Sequence, residues 1–119
     1  MVIGGYTDPQ GAREGFGALL LGVYERGKLR YSGKVGTGFD TALLRQLAEK
    51  LKRRERRTAP FVDAPTRGAH NGVHWVKPDL VAEVEFTEWS DDGMLRHPAF
   101  KGLRMDKRAT EVVRERERA

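Results

Sequence analysis

Only one stretch of this chain repeats its apolar residues at helical spacing, and that limits the architecture more than any other feature. Leu43, Leu44, Leu47, Ala48 and Leu51 recur at intervals of three and four, with Arg45, Gln46, Glu49, Lys50, Lys52 and Arg53 between them. Asp40 stands where an N-cap belongs. The spacing therefore predicts one amphipathic helix. It ends in the basic run Lys52-Arg-Arg-Glu-Arg-Arg57, which complements the helix dipole, and Pro60 prevents continuation.

The rest of the chain has the period of strands. Met1-Val-Ile-Gly-Gly-Tyr6 reads as a strand with no lead-in, which predicts a domain cut from something longer. Gly17-Ala-Leu-Leu-Leu-Gly-Val-Tyr24 is a continuous apolar run, as in a strand with little exposed face. Glu25-Arg-Gly-Lys28 reads as a hairpin turn, and Leu29-Arg-Tyr-Ser-Gly-Lys-Val35 then alternates. Beyond the helix, residues 59–72 carry Pro60, Pro65, Gly68 and Gly72 and read as a loop. Leu80, Ala82, Val84 and Phe86 alternate with Val81, Glu83, Glu85 and Thr87 in the cleanest two-residue period of the chain. Ser90-Asp-Asp-Gly93 turns back, and Leu95 to Met105 returns with an interruption at His97-Pro98. Three strands, a helix, then two strands is the element order of an OB-fold. The expected fold is thus all-β with one helix: a five-stranded Greek-key β-barrel whose α-helix lies between strands 3 and 4. One domain suits 119 residues, with the barrel over 1–108 and residues 109–119 forming a short helix or a charged tail.

Charge narrows the partners. A formal net charge of +5, with 33% of residues charged, points to an anionic partner such as nucleic acid or nucleotide. The absence of Cys excludes disulfides, thiolate metal sites and thiol nucleophiles. His70, His74 and His97 lack metal-ligand spacing, so no metal site is expected, and no Ser-His-Asp arrangement is present. Glu83 and Glu85 share a strand face, but carboxylates that face out of a half-buried strand are solvated, so an acid/base pair is rejected. No apolar run approaches the ~20 residues of a membrane span. The expectation is a soluble cytoplasmic, nucleoid-associated protein without membrane contact.

The densest chemistry is Phe100-Lys-Gly-Leu-Arg-Met-Asp-Lys-Arg108, with four cations and one carboxylate, among which Phe100 and Leu103 sit as apolar anchors. On a strand, Arg104 and Asp106 would share one face and Met105 and Lys107 the other. An Arg fork grips phosphate oxygens in pairs, a Lys adds a point charge, and an Asp orients the cations. The plain alternative is a charged edge strand beside a solvated tail. Val35-Gly-Thr-Gly-Phe39, between a strand and a helix start, lacks the third Gly of a dinucleotide fingerprint and the Lys of a P-loop. By itself it reads as a tight β-to-α turn. Trp75 and Trp89 read as core or rim residues. The run 52–57 reads as a solvated helix end, with a phosphate-contacting patch as its alternative.

Four stretches in order resemble the C-terminal OB domain of ATP-dependent DNA ligases, most closely the bacterial ligase D type of non-homologous end joining. They are Ile3-Gly-Gly-Tyr-Thr7 with Gly15-Phe-Gly-Ala-Leu-Leu-Leu-Gly22, then Gly33-Lys-Val-Gly-Thr-Gly-Phe39. Trp75-Val-Lys-Pro-Asp-Leu-Val-Ala-Glu-Val-Glu-Phe86 resembles motif Va, and His97-Pro-Ala-Phe-Lys-Gly-Leu-Arg-Met-Asp-Lys107 resembles motif VI. The resemblance implies that Arg104, Asp106 and Lys107 engage the β- and γ-phosphates of ATP while a lysine of a neighbouring adenylyltransferase domain attacks the α-phosphorus. It also implies that Lys34, Gly36, Thr37, Gly38, Phe39 and Lys101 lie along nicked or broken double-stranded DNA. In the complete ligase the cofactors would be ATP and a divalent metal, Mg or Mn, none held stably by this chain alone, and the end-binding protein Ku is a candidate partner. Two departures stand out. Met105 replaces an acidic residue common in the family, and no Lys-x-Asp-Gly occurs. The chain is thus expected to be an inactive part of a ligase in double-strand break repair. The alternative is a free-standing nucleic-acid-binding OB module, and an RNA-ligase or mRNA-capping accessory domain shares the motif VI logic.

Overall fold

The computed structural model describes residues 1–9, 15–63, 72–105 and 108–112. Three antiparallel strands open the chain: β1 (Val2–Thr7), β2 (Leu19–Glu25) and β3 (Lys28–Val35). Arg26 and Gly27 both have positive φ, the backbone of a two-residue hairpin turn that matches strand twist. Helix α1 (Thr41–Lys52) follows, and its N-cap Asp40 accepts from the Leu43 backbone N–H at 2.7 Å. It buries Leu44, Leu47, Ala48 and Leu51, as the spacing predicts.

The basic run beyond the helix departs from expectation. Instead of prolonging the helix, Glu55–Arg56 forms a short strand, β4, against β5 (Val73–Glu85). The five expected strands become eight among the described residues. β6 (Glu88–Trp89) and β7 (Leu95–Arg96) make a separate two-stranded sheet, and β8 (Ala99–Arg104) pairs with β5. The expected break at His97-Pro98 divides β7 from β8, with His97 at φ 53°. A 3-10 turn (Ala109–Glu111) follows. No helix among the described residues is long and apolar enough to cross a membrane.

The main sheet runs β3-β2-β1-β5-β4, with β8 also on β5. β5 serves both because it leaves register with β1: Ile3 faces Leu80 and Gly5 faces Trp75, so residues 76–79 bulge out opposite Gly4 alone. The bulge bends the strand, and Pro78, which has no N–H to leave unpaired, sits inside it. The first half of β5 then pairs with β4 and the second half with β8. This is an OB-fold whose sheet is not closed: no ladder joins β3 to β8 among the described residues. The seam is bridged by the turn after β3, where the Phe100 N–H donates to the Thr37 carbonyl at 2.9 Å.

Both faces of β1 and β2 are buried, which explains the unbroken apolar run in β2. Ile3, Leu19 and Leu21 look inward at the helix, Phe16 and Phe100. Val2, Leu20 and Val23 look outward at Phe61, Val81 and Val112. Phe61 fits there because a Cβ on Gly4 or Gly22 would lie 2.4 or 2.6 Å from its ring. The Tyr24 N–H donates to the Val112 carbonyl at 2.7 Å, so residues 109–112 belong to this outer layer.

Two tests follow from this packing. A Cβ on Gly38 would lie 2.2 Å from the Phe100 carbonyl oxygen, at φ +95°, whereas Gly27 has open space at φ +76°. Gly38→Ala should therefore lower the free energy of unfolding by about 1–3 kcal/mol more than Gly27→Ala in urea titrations, because overpacking adds to the shared backbone strain. Burial also raises the Tyr31 phenol from 10.0 to about 12. Below the unfolded pKa of about 10 this contribution to stability is complete, and it is lost as pH rises through the folded value. Phenolate absorbance should show a tyrosine titrating late, and Tyr31→Phe should flatten the alkaline decline in stability.

Candidate functional site

The residues singled out in the sequence meet along β8 and the turn docked on it. β8 starts in the core with Phe100, buried against Ile3, Leu21 and the helix side chains. Phe39 stacks on Phe100 with centroids 4.7 Å apart and meets Phe16 edge-on at 5.0 Å. The Thr37 hydroxyl donates to the Pro98 carbonyl at 3.3 Å. Gly36, Thr37, Gly38 and Phe39 thus lie beside Lys101. Gly38 and the Phe39 ring are turned toward the seam, whereas Lys34 is exposed on β3, opposite Leu20.

Lys101 is the extra residue of a bulge, since Glu83 pairs with Gly102 and Val84 with Phe100. The bulge leaves its ammonium 3.2 Å from the Glu85 carboxylate, an exposed and therefore weak pair. Arg104 is the last residue of β8, opposite Val81, with its side chain exposed, and Met105 beyond it is 82% exposed. By strand rise Arg104 lies about 13 Å from Phe100, at the far end of the strand from the docked turn. Asp106 and Lys107, and with them the expected alternation of Asp106 with Arg104, fall outside the described residues. So does His70.

Two clusters were not legible in the sequence. One joins three elements at the end of β1. The Tyr6 hydroxyl donates to Glu55 Oε1, and His74 Nε2 lies 2.7 Å from Asp8 Oδ1 and Nδ1 3.5 Å from Glu55. The Tyr6 and His74 rings stack at 4.8 Å. Burial first, then the bond to Glu55 and its charge, push the Tyr6 phenol above the ordinary tyrosine range. Because β4 pairs with β5, Glu55 comes to this point, and nothing local in the basic run signals that pairing. The other cluster sits at the β5 bulge. Arg54 Nε donates to Asp79 Oδ1 at 2.8 Å, Arg54 Nη1 donates to the Lys50 carbonyl at 3.0 Å, and Lys77 stands alongside.

Among the described residues, no group of three or more His, Asp or Glu side chains could hold a metal ion. For a polyphosphate, the exposed guanidinium at the end of β8 has the right chemistry, since it can donate in pairs to oxygens of one phosphate group.

Residues 12–107 match the family model described as the ATP dependent DNA ligase C terminal region. The multifunctional non-homologous end joining protein LigD of Pseudomonas aeruginosa is 43% identical over 118 residues, covering 97% of this chain and 14% of that protein. The multifunctional non-homologous end joining DNA repair protein LigD of Mycobacterium tuberculosis is 44% identical, covering 97% of this chain and 15% of that protein. The chain thus spans about one seventh of the length of these relatives. Among solved structures, the ligase domain of M. tuberculosis LigD superposes with a TM-score of 0.87 at 44% identity, over 96% of this chain and 37% of that one. A mycobacterial DNA ligase D complexed with ATP and MES superposes with a TM-score of 0.81, at 44% identity, over 96% of this chain and 36% of that one. With an OB-fold, an exposed arginine closing β8 and a family match over most of its length, this chain belongs to the C-terminal region family of ATP-dependent DNA ligases.

Proposed function

We propose that this chain is the OB domain of a DNA-joining enzyme of non-homologous end joining, and that it serves two steps of the reaction on nucleoid DNA. In the first, Arg104, together with Asp106 and Lys107, holds the β- and γ-phosphates of ATP. A lysine on an adenylyltransferase domain of the same polypeptide attacks the α-phosphorus, the bond from the α-phosphorus to the bridging oxygen breaks, and pyrophosphate leaves carrying the negative charge. Cations already in place stabilise that developing charge without reorganising. In the second step the domain turns on a hinge and lays Lys34, residues 36–39 and Lys101 along nicked or broken duplex DNA. Ku fits this reading as a partner in end joining.

The observation that carries the reading is the placement of Arg104. It is exposed at the free end of a strand whose other end is fixed by the docked turn, in a chain of the ligase family. The triphosphate is thus met by a guanidinium on a rigid support. A nucleic-acid module acting alone would stack bases on exposed aromatic rings. Here Phe39, Phe61 and Phe100 are packed into ring contacts within the fold, which favours the ligase reading.

Incubated alone with labelled ATP, the chain should form no covalent adenylate, because it contains no Lys-x-Asp-Gly. Joined to an adenylyltransferase domain, it should accelerate adenylation, and Arg104→Ala should reduce that rate by roughly 100-fold, as loss of one leaving-group donor does. Sealing of pre-adenylated nicks should depend much less on Arg104, because pyrophosphate has already departed. An unchanged adenylation rate in Arg104→Ala would remove the arginine from the proposed step.

A further inference from the structure

The bulge in β5 creates a feature that neither the proposed triphosphate contact nor the Lys34–Lys101 surface uses. β4 meets β5 at Val76 and Trp75, and β8 meets the same edge at Val81. Among the described residues the edge between them carries no strand, which leaves an open notch. Arg53, Arg54, Glu55, Arg56, Lys77 and Asp79 line it, four cations against two carboxylates.

The usual account of a basic helix end is dipole compensation, which covers Lys50, Lys52 and Arg53. It does not cover Lys77, which comes from a different element, or the fixing of Arg54. Asp79 and the Lys50 carbonyl hold that guanidinium in place, with its side chain only 28% exposed. These two hydrogen bonds orient the guanidinium at the edge of the groove. Arg53 and Lys77 are exposed on either side. Cations from two segments, Arg53 and Arg54 after α1 and Lys77 on β5, thus line one open groove, with Arg54 held by Asp79.

Along β5 the notch lies four residues from the partner of Arg104, less than the about 13 Å of a regular strand because the bulge shortens the path. Cations spread along an open groove suit successive phosphodiesters of a strand better than one compact triphosphate, which needs its donors to converge. We infer that the notch at the β5 bulge, through Arg53, Arg54 and Lys77, is a second contact for the DNA backbone. It would extend the bound strand past Arg104, away from the surface carrying Lys34 and Lys101. This inference rests on the reading of the chain as a ligase domain.

The test uses the chain joined to its adenylyltransferase domain, with a nicked duplex as probe. The charge reversal Arg53→Glu with Lys77→Glu should weaken nick binding at least tenfold at low salt. It should also reduce the slope of log affinity against log salt by about 1 to 2, since each lost phosphate contact removes about 0.9. The milder Lys77→Gln alone should reduce the slope by about 1, and circular dichroism reports whether either variant keeps its fold. Arg53→Lys, which retains the charge, should restore most of the binding. Should the KM for ATP in adenylation rise while nick affinity holds, the notch serves the triphosphate and the inference fails. An unchanged salt slope in both variants would also overturn it, leaving an ordinary solvated surface. The Arg104→Ala adenylation measurement reports separately on the ligase reading, so the two can fail independently.

Discussion

A backbone-to-backbone contact fixes the start of β8. Gly38 has no Cβ, so the turn after β3 can lie directly on the main chain of Phe100. Without that contact β8 would be held on one side only, by β5, and would be an ordinary frayed edge. A single hydrogen bond from Phe100 to Thr37 is worth only about 1 kcal/mol net. Burial of Phe100 and the stacked Phe39 contributes several-fold more, at about 1.5–3 kcal/mol for a fully buried side chain. Packing therefore closes the seam, and the hydrogen bond sets its register. The direction in which β8 delivers Arg104 follows from that register.

The outer layer solves a different problem. A small barrel with a purely internal core buries little surface for its length. Here the sheet carries apolar side chains on both faces, and the second face needs a cover. Phe61 supplies part of it by lying across Gly4 and Gly22, with Tyr31 and Trp75 edge-on to its ring. Val112 supplies another part from beyond β8. Because the two chain segments on either side of β5 and β8 are tied to the back of the sheet, the seam and the bulge are supported from behind.

What could be read from the sequence was what local physics decides. Gly27 announced a turn because only a left-handed backbone closes a two-residue hairpin, and His97-Pro98 announced a break because Pro cannot donate to a ladder. The helix face from Leu44 to Leu51 and the buried run of β2 followed from periodicity. The missing pieces all depend on pairings between distant residues. Glu55–Arg56 became β4 because of its partner Val76, not because of its own propensity. Val81, assigned by alternation to the polar face, is buried because Val2, Leu20 and Phe61 cover that face. At the site, Arg104 was legible as chemistry on a strand end. The fixing of Arg54 by Asp79 was not, since 25 residues separate them and only the bulge brings them together.

Glu25, Asp63, Asp91 and Asp92 gather around a hollow between the β2–β3 hairpin and the β6–β7 hairpin, with Arg30 the one cation on its lining among the described residues. Along β5 and its partner strands, cations and carboxylates alternate in equal number: Arg56, Lys77, Arg104 and Lys101 with Glu55, Asp79, Glu83 and Glu85 among them. On the proposed function, the same strand serves the triphosphate at Arg104 and DNA on either side of it. Moving from one task to the other then requires only that the rigid domain turn about its junction, with β8 and its docked turn unchanged.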